Sequence, residues 1–312
     1  MKIDDSVGGE TVFTLRFHGV RGSFPVPGPE VLHFGGNTSC IEVESGAFHV
    51  IFDCGTGMVG VGDALGASAA SSPLRLLLLI SHLHHDHTMG WPFFKPLYDP
   101  RSIIHARGPG SDGRTFQDLF ESSFAHPYFP VSPAAMPATR TFGMLAHGDV
   151  LTWTDPDATP TLALAATVTP ESADAAATGD ALVIRCFRNR NHPNGGVLNY
   201  RIERAGRSIV LATDVEGTEG ETGDLVDFAK DTDLLVHDAQ YTDEEYETVT
   251  RGWGHSTWRM AADVARRCHA RRLVLYHHDP AHDDRAVEEI ERLAREKFPR
   301  SIAACEGLEF RL

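Results

Sequence analysis

Six consecutive residues, His82-Leu83-His84-His85-Asp86-His87, contain four histidines and a carboxylate. Imidazole nitrogen and carboxylate oxygen are ligands for zinc, manganese or iron, and a cluster this dense cannot be buried without a cation to offset it. The spacing His-x-His-x-Asp-His makes His82, His84, Asp86 and His87 candidate ligands. They are more than one tetrahedral ion can use while keeping a position open for substrate, so two ions are the economical reading. His85, between ligand positions, is expected to point away. The run Leu76-Leu77-Leu78-Leu79-Ile80 directly before the cluster reads as a buried strand that delivers a loop to a sheet edge, which argues against a solvated His-rich tract.

Other polar residues stand at the ends of apolar runs in the same way. Phe48-His-Val-Ile-Phe-Asp53 reads as a strand followed by Cys-Gly-Thr-Gly57, and here Asp53 could be an ordinary turn former. Residues 181–187 form another strand pattern before Asn191-His192-Pro-Asn-Gly-Gly196. Ser208-Ile-Val-Leu-Ala-Thr-Asp214 and residues 233–240, which include Asp238, repeat the theme. Gly252-Trp-Gly-His255-Ser-Thr257 opens a capped helix that runs to Arg267, and residues 271–276 give a strand before His277-His278-Asp-Pro280. Further strands are expected over 11–18, 41–44, 102–106 and 162–168, with helical spacing over 114–123 and an amphipathic helix over 283–297. Residues 155–180, rich in Ala, Thr, Pro and Asp, read as a loop insertion within one domain of residues 1–312.

The chain has 312 residues, 42% of them hydrophobic, enough for a sizeable core. Its 43 acidic against 28 basic residues give a net charge of −15, which repels polyanions and disfavours RNA as a partner. Five scattered cysteines without a CxxC pair fit a reducing cytoplasm better than a disulfide framework. Neither a basic-then-apolar leader nor an apolar run near the roughly 18 residues of a membrane span is present, so a soluble cytoplasmic protein with no membrane partner is expected.

The histidine signature resembles that of the metallo-β-lactamase superfamily, and the later pieces resemble its ribonuclease Z and phosphodiesterase branch. The resemblance implies a four-layer αββα sandwich and two divalent ions, with zinc favoured and manganese and iron open. His82, His84 and His192 would hold one ion, Asp86, His87 and His277 the other, with Asp214 bridging both. His278 remains the alternative to His277, because the Tyr276 before and the His-Asp-Pro after depart from the branch's pattern. Asp53 would support the metal loop as a hydrogen-bond acceptor, and Asp238 would pair with His255 beside the substrate; a homodimer is suggested by the family alone.

A metal pair activates water and polarises a phosphoryl or carbonyl oxygen, so hydrolysis is the expected reaction. His255, kept cationic by Asp238, suits protonation of a departing alkoxide, which favours a phosphodiesterase acting on a small or cyclic diester. Read blandly, His255 is a helix-start residue. A tRNA 3′-processing endonuclease is the runner-up, although the chain offers only the short basic segment 185–190 and no Lys-rich arm. Thiolester or lactone hydrolysis, or metal sensing without turnover, are the remaining alternatives.

Overall fold

A strand with aliphatic side chains on both faces must be covered on both, and residues 76–80 decide the layering. Leu77 and Leu79 enter a core shared by two sheets, while Leu76, Leu78 and Ile80 enter a second core beneath helices. The computed structural model describes residues 1–6, 11–68, 74–164, 179–217 and 221–312.

In chain order the strands are β1 (Lys2–Asp4), β2 (Thr14–Gly19), β3 (Cys40–Ser45), β4 (Phe48–Phe52), β5 (Arg75–Leu79), β6 (Ile103–Gly108), β7 (Thr139–Met144), β8 (Val150–Trp153), β9 (Thr161–Ala163), β10 (Leu182–Asn189), β11 (Val197–Arg204), β12 (Arg207–Ala212), β13 (Leu234–Asp238), β14 (Leu273–Tyr276), β15 (Ser301–Ala303) and β16 (Glu309–Arg311). The helices are α1 (Gly57–Ser68), α2 (Phe116–Ser122), α3 (Glu221–Phe228), the single turn α4 (Asp243–Glu245), α5 (Trp258–Arg267) and α6 (Asp284–Lys297). One sheet has the order β1-β16-β2-β3-β4-β5-β6-β7, the other β15-β14-β13-β12-β11-β10-β8-β9. Their inner faces meet through Phe17, Val43, Phe52 and Leu79 on one side and Ile184, Tyr200, Leu211 and Val236 on the other. Trp258 and Ala261 of α5 and Ile290 of α6 cover the outer face of the second sheet; Met58 of α1 and Phe116 of α2 cover that of the first. The result is the expected four-layer αββα sandwich.

Within the first sheet β4, β5, β6 and β7 run parallel, and within the second β12, β13, β14 and β15 do. Parallel neighbours end on one edge, and the polar residues lie just past the carboxyl ends of β4, β5, β12, β13 and β14, where α/β folds bind ligands. Both expected helices form: Thr115 caps α2 with a reciprocal bond from Asp118, and Asp283 accepts from Ala286 N at 2.8 Å. Of the strand expected over 162–168, Thr161–Ala163 forms β9 against β8. Residues 165–178, most of the expected insertion, lie outside the described residues.

Helix α1 is absent from the sequence reading because Gly57, Gly60 and Gly62 are poor helix formers. Close packing explains one of them, since a Cβ on Gly57 would stand 2.5 Å from the His18 carbonyl. Leu78 is fully buried beneath this helical layer. Truncating it to alanine is expected to lower unfolding free energy by about 2–5 kcal/mol, measured by urea denaturation.

Candidate metal centre

The loop after β5 keeps its peptides tied while turning its imidazoles inward. Ser81 N donates to Asp53 Oδ1 at 2.8 Å, and Ser81 Oγ to Asp53 Oδ2 at 2.9 Å. With its own hydrogen spent on Asp53, Ser81 Oγ accepts from His82 Nδ1 at 3.0 Å, leaving His82 Nε2 as the inward lone pair. His87 Nδ1 donates to Asp53 Oδ2 at 2.7 Å, so one carboxylate orients both ends of the loop. His85 is exposed, as expected from its place between the inward residues.

Two groups of ligand-type atoms result. In the first, His192 Nε2 lies 3.1 Å from His84 Nδ1 and 3.8 Å from Asp214 Oδ2, with His82 Nε2 3.6 Å from the same oxygen. In the second, His87 Nε2 and His277 Nε2 are 3.3 Å apart, and each lies within 3.2 to 3.4 Å of Asp86 Oδ2 and Asp214 Oδ1. Asp214 therefore presents one oxygen to each group. His192 Nδ1 donates to Gly254 O at 3.1 Å and His277 Nδ1 to Gln240 Oε1 at 2.9 Å, so both point Nε2 lone pairs inward. Ser23 N donates to Asp86 Oδ2 at 2.8 Å.

His277, not His278, joins the cluster. Its backbone adopts φ +65°, as Asp53 and Asp214 adopt +56° and +53°, and each follows the end of a parallel strand. His278 Nε2 donates to Ala304 O at 2.8 Å, and burial pushes its imidazole down to about 3. Gly22 backs onto the His277 ring, where a Cβ would stand 2.5 Å from Nδ1.

The donor set fits a pair of divalent cations. Buried His82 Nε2 has no hydrogen-bond partner among the described residues, and inward-facing nitrogen lone pairs at 3.1 to 3.3 Å are reconciled only by a positive charge. Burial, against the pull of Asp214, holds His82, His84 and His192 below the ordinary histidine range, which is the neutral form that binds metal. For His87 burial also disfavours charge, but Asp214, Asp86 and Asp53 outweigh it and raise the imidazole well above that range. Burial works to raise the Asp86 and Asp214 carboxyls; His87 and His277 outweigh it and hold both well below the ordinary range. Burial does raise Asp53, despite His87 and Ser81.

His255 lies against both groups, its ring stacked on His277 at 4.9 Å and edge-on to His192 at 5.0 Å. Its Nδ1 donates to Asp238 Oδ2 at 2.7 Å. Burial disfavours the charged ring, but Asp238 prevails and holds it at about 9. The cap of α5 is Thr257, which accepts from Met260 N, so His255 is free of that task.

All ten residues singled out in the sequence converge on this edge. Ser81, Gln240, Gly254 and Ser23 were missed. Ser81 adjoins His82 and Gln240 ends the run containing Asp238, but main-chain donors and acceptors leave no trace in residue type.

Residues 49–278 match the family described as Beta-lactamase superfamily domain. A ribonuclease Z of Thermoplasma acidophilum is 25% identical over 316 aligned positions, covering 95% of each chain. Among solved structures, the metallo-β-lactamase fold protein YhfI from Bacillus subtilis superposes with TM-score 0.65 at 15% identity, covering 96% of this chain and 99% of that one. A diphosphatase of the PhnP family superposes with TM-score 0.60 at 14% identity, covering 95% and 96%. These likenesses at low identity concern the fold.

The geometry predicts two divalent ions per chain by elemental analysis, and a thermal midpoint that falls on chelation, since a ligand at 100 times its Kd adds about 2.7 kcal/mol. Asp214→Ala, which removes an oxygen from each group, is expected to lower occupancy of both positions together. Full occupancy by two ions in that variant would contradict the shared role of Asp214.

Proposed function

The chain belongs to the β-lactamase superfamily, in its ribonuclease Z-like branch, and is a metal-dependent hydrolase; from that premise we propose that it is a phosphodiesterase whose substrate is a small or cyclic phosphodiester. In this reading His82, His84 and His192 hold one ion and Asp86, His87 and His277 the other, with Asp214 between them. Zinc suits this His-rich set best. When bound, such ions would supply a nucleophile at neutral pH and offset charge on the phosphoryl group.

The observation that carries the reading is the Asp238–His255 pair lying against both ligand groups. Departure of an alkoxide needs a proton, whereas cleaving a thiolester, which releases a weakly basic thiolate, does not demand a dedicated acid of this kind. Asp238 accepts the Nδ1 hydrogen, so the other nitrogen, Nε2, carries the transferable proton. Asp53, Ser81, Gln240 and Gly254 hold the surrounding rings in fixed tautomers, which keeps the reacting groups in one geometry as charge develops.

Similarity to ribonuclease Z along nearly the whole chain favours a second substrate, a tRNA precursor. The net charge of −15 weighs against it, because RNA affinity comes largely from phosphate neutralisation.

The test is hydrolysis of bis-p-nitrophenyl phosphate by metal-loaded and chelated protein, followed by cyclic nucleotides against a tRNA precursor. Turnover of the diester is expected to vanish on chelation, with cyclic nucleotides cleaved in preference to the precursor. His255→Ala is expected to lower turnover of diesters with alkoxide leaving groups by about 10²- to 10⁴-fold while retaining both ions. Equal loss on a thiolester, whose thiolate departs without a proton, would refute the acid role, and preference for the precursor would favour the ribonuclease reading.

A further inference from the structure

Glu216, two residues after Asp214, is buried at 5% exposure in a position the sequence did not single out. Its Oε1 accepts from Gly252 N at 2.7 Å and from the Tyr246 hydroxyl at 2.7 Å, and its Oε2 accepts from Gly254 N at 3.0 Å. The Glu216 carbonyl accepts from Asn191 Nδ2 at 3.0 Å, and the neighbouring Val215 carbonyl accepts from Ser256 Oγ at 2.5 Å. Residues 214–216 thus grip the loop before His192 and the loop that carries His255.

Gly254 is the piece that matters. Its carbonyl fixes His192, its chain continues directly into His255, and its φ of +92° is open to glycine but strained for other residues. A Cβ there would stand 2.5 Å from His192 Nδ1 and 2.6 Å from the Pro193 ring. Held this tightly, a displacement of Gly254 moves His255 relative to His192. A buried carboxylate receiving three donors is a stiff anchor, since leaving those donors or the charge unpaired is costly.

We infer that Glu216 is a positioning residue for proton delivery: through Gly254 it sets where His255 stands relative to the leaving group. The inference rests on the acid role proposed for His255. The carboxylate itself exchanges no proton with substrate.

The experiment measures kcat and KM of metal-loaded wild type, Glu216→Gln, His255→Ala and the double variant on phosphodiesters whose leaving groups range from p-nitrophenol to simple alcohols. Glutamine turns an N–H toward one of the main-chain donors, so the grip loosens without loss of volume. Glu216→Gln is expected to lower kcat on alcohol leaving groups by about 10- to 100-fold. The p-nitrophenyl diester, which departs without help, is expected to be nearly unchanged, with two ions per chain retained. The double variant is expected to be no worse than His255→Ala alone, as residues acting through one step are not additive.

A uniform loss across all leaving groups, or no loss where His255→Ala is steeply selective, would overturn the inference and mark Glu216 as structural support. A flat response of His255→Ala itself would instead refute the acid role on which the inference depends. Should Glu216→Gln fail to retain two ions, Glu216→Asp is read in its place by the same two criteria.

Discussion

Asp214 turns one oxygen toward His82 and His192 and the other toward His87 and His277, at 3.3 to 3.8 Å, with 2% of its side chain exposed. A carboxylate so deeply placed is tolerable only if compensated, and Asp53 and Asp86 add two more negative charges within the same buried region. The imidazoles can compensate by taking protons or by sharing cations, and their fixed tautomers direct lone pairs inward, toward cations. Most of the surrounding hydrogen bonding serves that requirement: Ser81, Gln240 and the Gly254 carbonyl each occupy the outward nitrogen of a histidine.

Backbone strain sits where this compensation happens. Asp53, Asp214 and His277 hold left-handed backbone, a conformation that costs about 1–3 kcal/mol per residue. It persists because the strands before them are locked between layers. Phe52, Leu211 and Tyr276 are wholly buried in the inter-sheet core, so each strand holds its carboxyl end at a fixed point and the chain must turn sharply within two residues of it. Rigid packing below and turning above are one mechanical arrangement.

Legibility in the sequence followed the range of the interactions involved. The His82 to His87 spacing, the apolar run before Asp214 and the helical spacing over 114–123 and 283–297 are local signals, readable without knowing what lies opposite. The choice between His277 and His278 was not local: it is decided by a backbone turn after β14 and by the Ala304 carbonyl, 26 residues on. Glu216 was invisible because its partners lie 30 to 38 residues away, and two of the three are main-chain donors of glycines. Strands β1, β15 and β16, three residues each, are too short to show a period; β1 and β16 form by pairing across the ends of the chain and β15 by pairing with β14.

The contributors to this centre are far apart along the chain, with 108 residues between His84 and His192 and 191 between Asp86 and His277. Closing loops of that length is slow and comes after local structure has formed. During synthesis β2 to β7 emerge with residues 82–87 on the loop after β5, yet the ligand set stays incomplete until β14 has been made and docked. A chain cut short before His277 therefore carries the signature motif without the full set of residues that would act on a substrate.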